Sequence, residues 1–81
     1  NLQQLTERDR MEEFMFLGLR MMEGVSMEKF ERYFGKPYME VYGKVQKRME
    51  DKRFLINDNG YVKLTEFGID LSNYVMSEFL F

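Results

Sequence analysis

The sequence predicts one small α+β domain: three helices, a two-stranded hairpin, and a final helix. Three observations carry that prediction. Amphipathic segments in the first fifty residues each have their own start and stop signals. Asn59-Gly60, flanked by two apolar-rich runs, is the preferred pair for a two-residue type I′ turn. Thr65 then stands as a cap before a last segment with helical apolar spacing. With 81 residues, 44% of them hydrophobic, the chain has room for one core and not for two.

The first helix is expected from about Thr6 or Asp9 to Glu23. Both residues can cap, acids crowd the first turn, and Gly24 closes the end. Ser26 caps a second helix through about Phe34, with Val25 and Phe30 at the two positions of a hydrophobic staple and Gly35 as the stop. Pro37 sits near the first turn of a third helix, Tyr38 to about Lys52, where its missing N–H costs nothing. The runs 53–58 and 61–65 form the hairpin. A two-residue loop pairs Leu55 with Leu64 and Asn57 with Val62 on one face, and Ile56 with Lys63 on the other. The last helix runs from the Thr65 cap to the end of the chain. This order is that of a winged-helix-like domain spanning residues 1–81, with the hairpin as its wing. A lone hairpin is marginal and must lean on the helices.

Placing residues at 100° intervals separates the helix faces. In the third helix Tyr38, Val41, Tyr42, Val45 and Met49 form one narrow core stripe. The first helix is apolar over about 200°, more than one small core can use, and Phe16 stands apart among Glu12, Arg20 and Glu23. The last helix has a core stripe of Phe67, Leu71, Tyr74, Val75 and Phe79, and a second stripe of Ile69, Met76 and Leu80. Phe16, Ile69, Met76 and Leu80 are therefore expected on a surface that meets another body. Arg20 can serve the same interface or pair with Glu13 or Glu23. Gly18, in mid-helix, costs roughly 1 kcal/mol against Ala and implies close approach by another element. Gly43 carries the same cost without an evident reason.

The chemistry available is narrow. There is no His and no Cys, which removes the commonest general base, the commonest transition-metal ligand and every thiolate. No nucleophile–base pair can be drawn around Ser26, Ser72 or Ser77, and neighbouring acids such as Glu12-Glu13 point about 100° apart. The expectation is a domain without catalytic, cofactor-binding or metal-binding residues. Met and Tyr can ligate haem iron, but Met at helical spacing beside Phe and Leu reads as core filler or adaptable contact surface. Binding of DNA through the third helix and the wing is the alternative from another class, supported by Lys44, Lys47, Arg48, Lys52 and Arg53. Glu40 and Asp51 on the same face, an acidic wing tip at Asp58 and a net charge of −2 oppose it. Homodimerisation is the third reading. No apolar run reaches the roughly 18 residues of a membrane span.

Glu12-Glu13-Phe14, Leu17-Gly18-Leu19-Arg20 and Glu23-Gly24-Val25 resemble the stretch that opens the C-terminal domain of the oxygen-independent coproporphyrinogen III oxidase-like family, a radical S-adenosylmethionine family. Phe30 with Phe34-Gly35 is similar to its next segment. Leu64-Thr65, Gly68, Leu71-Ser72-Asn73 and Val75-Met76-Ser77-Glu78-Phe79-Leu80 resemble its terminal segment. The match covers almost the whole chain in order, and the Leu-Gly-Leu-Arg and Leu-Ser-Asn wording is closer to the haem-chaperone branch than to the oxidase branch. The resemblance implies a cytoplasmic parent protein of porphyrin or haem metabolism, from which this domain, beginning at Asn1 rather than Met, is expected to be excised. That parent would carry an upstream barrel with a 4Fe–4S cluster on a Cys-x3-Cys-x2-Cys motif, S-adenosylmethionine, and contact with haem. None of those cysteines is in this chain. The partner implied is the barrel of the same protein, or a second copy of the domain when the barrel is missing.

Overall fold

The computed structural model describes residues 6–80. Helix α1 (Glu7–Leu19) starts at Thr6, the first of the two candidate caps. The Thr6 hydroxyl accepts from the Asp9 N–H at 3.1 Å, and the Asp9 carboxylate accepts in return from the Thr6 N–H. Two otherwise orphaned donors are satisfied together.

The helix stops at Leu19, four residues before the expected Glu23. Tertiary structure ends it: after a turn through residues 20–23 the chain enters a two-residue strand, β1 (Val25–Ser26). This strand pairs antiparallel with the second hairpin strand, β3 (Tyr61–Leu64), placing Val25 opposite Val62 and Ser26 opposite Tyr61. Gly24, at φ 85°, makes the entry possible, since a Cβ there would strike the Val62 carbonyl oxygen. The sheet therefore has three strands, ordered β1–β3–β2, where the sequence predicts two.

Helix α2 (Met27–Phe34) follows the expected limits. The Ser26 hydroxyl accepts from the Lys29 N–H at 3.1 Å, and Gly35 in the left-handed region ends it. Helix α3 (Tyr38–Asp51) begins directly after Pro37 and bends at Tyr42, whose φ of −116° leaves the helical range. It closes with paired bonds, Arg53 N–H to Glu50 carbonyl and Phe54 N–H to Met49 carbonyl, both 2.9 Å. That is a Schellman closure with Arg53, at φ 66°, in the position usually given to glycine.

Strand β2 (Leu55–Asp58) pairs with β3 in the predicted register, with Asn59 at φ 53° and Gly60 at φ 86°. These are the two positive values that a type I′ turn requires. The Asn57 side chain adds a bond by accepting from the Gly60 N–H at 3.0 Å.

The last helix is corrected. Instead of one helix there are two short ones, α4 (Glu66–Asp70) and α5 (Ser72–Ser77), broken at Leu71 with φ −115° and ψ 32°. The expected run to the chain end stops at Ser77, with residues 78–80 outside any helix, and Phe81 lies outside the described residues. Thr65 does cap α4, accepting from the Gly68 N–H while donating to the Arg53 carbonyl at 2.6 Å. Gly68 then packs so close to the Phe54 carbonyl that a Cβ would overlap it. This contact fixes the roll of α4 and turns Phe67 and Ile69 outward.

The core lies between the three long helices and one face of the sheet. Phe30 is its centre: its ring meets Phe14 and Tyr38 edge-on at centroid distances of 5.7 and 5.4 Å, and Tyr42 stacks onward to Phe79 at 5.0 Å. Edge-to-face packing of this kind adds roughly 0.5–1.5 kcal/mol per pair beyond area burial. One aromatic chain thus ties α1, α2, α3 and the C-terminal segment together.

Candidate functional site

Two features stand out from the packed core: a sealed polar chain inside α3 and an open groove beside α5. In the first, the Tyr38 hydroxyl donates to the Gln46 side-chain oxygen at 2.7 Å, and the Gln46 amide donates to Glu50 at 2.8 Å. Gln46 is fully buried. Its position, four residues after Tyr42, puts it on the core stripe, but a polar residue carries no hydropathy signal and the sequence reading passes over it. Burial, with the neighbouring Tyr42 and Glu50 adding to it, pushes the Tyr38 phenol well above the ordinary tyrosine range. Tyr42 is pushed up too, by burial first and by Glu12 second. With Tyr38 and Gln46 buried and only Glu50 reaching partly toward solvent, this chain of groups serves the fold.

The second feature is a cleft of about 460 Å³. Three sequence-distant pieces wall it. The end of α1 and its following turn supply Leu19, Arg20, Met21 and Met22; the end of β3 supplies Lys63 and Leu64; α4 and α5 supply Ile69, Ser72, Asn73 and Met76. The early stop of α1 and the break at Leu71 create it, because a straight continuation of either helix would not bend around the sheet end. Its walls are largely apolar and its only charged groups are cations. By contrast, the cleft between α1 and α2 mixes Arg10 with Glu7 and Glu13.

The five residues expected at an interface divide. Arg20, Ile69 and Met76 meet in this groove. Arg20 is exposed and forms no ion pair with any described residue, so the anticipated bridges to Glu13 or Glu23 are not made. Ile69 is 60% and Leu80 51% exposed, although Leu80 lies outside the groove walls. Met76 is corrected: at 9% exposure it belongs to the core with Val75 and Phe79, and only part of it reaches the groove floor. Phe16 is also corrected, being half-buried and packed against the core. In exchange Phe67, Leu71 and Tyr74, placed on the core stripe by straight-helix spacing, are exposed. Val75 and Phe79 keep their expected places in the core and Ile69 and Leu80 stay exposed, so the two stripes are mixed rather than exchanged.

Leu17 on α1 and Met21 and Met22 in the turn after it extend the apolar surface. Gly18 has its close neighbour inside the domain: a Cβ would come within 2.5 Å of the Val25 side chain. Gly43 has only Met39 nearby, at 3.8 Å, and no packing need.

Residues 5–71 match the HemN C-terminal domain family. Over 80 residues, 99% of this chain, the sequence is 36% identical to the heme chaperone HemW of Lactococcus lactis subsp. lactis. It is 35% identical over 77 residues to the heme chaperone HemW of Bacillus subtilis. The chain spans about a fifth of the length of these relatives, 21% and 20%. No solved structure gives a significant match.

Proposed function

The chain belongs to the HemN C-terminal domain family, and from that premise we propose that it is the non-catalytic, winged-helix-like C-terminal domain of a haem-chaperone-type protein. Its task is to pack against the radical S-adenosylmethionine barrel of that protein and help cover the cleft where cofactor and haem are handled. The observation that carries this reading is the likeness, end to end along this chain, to two haem chaperones in which it corresponds to only a fifth of the length. The structure supports it with apolar residues left uncovered around α4 and α5: Phe67 at 65%, Ile69, Leu71 and Leu80. Burying such a patch favours docking at about 25 cal/mol per Å² before association entropy is subtracted. The family's 4Fe–4S cluster does not fit this chain, which offers no thiolate, and cluster chemistry is assigned to the barrel. Among the described residues no helix is long and apolar enough to cross a membrane.

The test uses the longer protein. Ile69→Glu with Leu80→Glu should leave its cluster spectrum intact while exposing the segment before this domain to limited proteolysis. Loss of the cluster on removing this domain, or unchanged protection in the double variant, would overturn the assignment.

A further inference from the structure

Apolar surface alone does not say what sits on it, but the groove beside α5 carries a charge signature. The whole chain has 14 acidic and 12 basic residues. Against that background the groove presents Arg20 and Lys63 and no carboxylate. Lys63 is engaged by Asp58 at 3.2 Å, and Arg20 forms no ion pair with any described residue. Arg20 is also held in place. It is the capping residue of α1, its N–H bonded to the Gly18 carbonyl, and Gly18 is itself locked against Val25. A guanidinium carried by an anchored backbone at the lip of an apolar cleft suits a carboxylate flanked by apolar side chains, because the fork can bind both oxygens while the flanking groups fill the floor.

Leu19–Arg20 and Ser72–Asn73 meet here from some fifty residues apart in the chain. What lies outside this chain in its relatives is about four-fifths of their length. The occupant with the right address is therefore a segment of the same protein. We propose that the groove receives an apolar segment of the parent's larger part bearing an aspartate or glutamate, and that this carboxylate pairs with Arg20. The proposal rests on the docking reading above and goes beyond it by naming the socket, the residue that selects, and the chemistry of the plug.

This chain has no cysteine of its own, so an introduced thiol labels at one place in it, while the cluster thiolates of the larger part stay blocked by their iron and its other cysteines are replaced by serine. Met22 is 97% exposed at the groove mouth, so Met22→Cys, labelled with a short photo-crosslinker in the longer protein, reports what lies over it. Tyr33→Cys, on the α2 face, is the control. The expected result is one intramolecular crosslink from Met22→Cys to an apolar peptide containing Asp or Glu, and none from the control. Adding Arg20→Glu should lower its yield about tenfold, Arg20→Lys should retain most of it, and reversing the mapped acid to Lys should restore it with Arg20→Glu. Melting of the isolated domain should not change with Arg20→Glu, separating selection from folding.

A crosslink from Tyr33→Cys alone would show a docked domain with a different face, which overturns the socket and spares the docking reading. Crosslinks to a second copy of the domain, or to a segment without acids, overturn the proposal as well. No crosslink from either position, with the domain tumbling independently, removes both.

Discussion

Single residues carry sharply different constraints even where composition makes them look alike. Gly18 and Gly43 both interrupt helices, and both cost helix propensity relative to Ala. Only Gly18 has a packing reason, the Val25 side chain pressed against it. Gly18→Ala should therefore destabilise the domain by about 1–3 kcal/mol through overpacking. Gly43→Ala has open space and should stabilise it by up to about 1 kcal/mol. Urea unfolding of both variants checks the pair, and equal effects of one sign would contradict the packing account. Arg53 gives a second case. Its left-handed conformation costs a non-glycine residue roughly 1 kcal/mol, and its side chain makes no ion pair with any described residue. Arg53→Gly should raise the urea midpoint, since the bonds that close α3 and hold Thr65 use only its backbone.

At the scale of elements, α3 is stabilised from inside by a polar chain rather than by apolar contact alone. Tyr38→Phe leaves the buried Gln46 oxygen without its donor, and Gln46→Ala also opens a cavity. Each should cost about 1–3 kcal/mol, with Gln46→Ala the larger, as read by thermal unfolding. The same burial sets an alkaline limit. Tyr38 and Tyr42 hold their protons in the folded state above the ordinary value of 10.0. The unfolded chain ionises these phenols near that value and so releases protons that the fold retains. Stability should be level below about pH 10 and fall above it, by about 1.4 kcal/mol per pH unit for each phenol held back. Phenolate absorbance from these two rings should accordingly appear only with unfolding. A single smooth rise in a folded protein would show that the rings are reachable.

For the molecule as a whole, the question is which apolar residues belong to the core and which to a neighbour. Met76 and Ile69 separate the two cases seven residues apart. Met76→Glu buries a charge beside Val75 and Phe79 and should unfold the isolated domain. Ile69→Glu sits at 60% exposure and should leave circular dichroism and melting nearly unchanged. Its effect should appear only as weaker docking in the longer protein, or weaker self-association of the isolated domain in analytical ultracentrifugation. A folded Met76→Glu domain would place that side chain back on the surface.

The sequence by itself determined the elements whose signals are local. Thr6, Ser26 and Thr65 cap the next few residues, Gly35 and Asn59-Gly60 need only their own backbone angles, and the hairpin register follows from a two-residue loop. Each of these acts over one turn of chain, so spacing alone reveals it. The likeness of Leu17–Arg20 and Leu71–Asn73 to known wording was legible for the same reason, as strings. Tertiary structure alone decided what depends on distant partners. The Val25–Ser26 strand exists because β3 offers it an edge, and α1 ends early to let it get there. The close seat of Gly68 on the Phe54 carbonyl and the break at Leu71 both lie in this segment, where Met76 is buried and Phe67 and Tyr74 are exposed. Helical periodicity assumes one unbroken axis, so some faces assigned across a break no longer hold. The groove at Arg20 likewise joins residues from both ends of the chain, which helical spacing within one segment does not bring together.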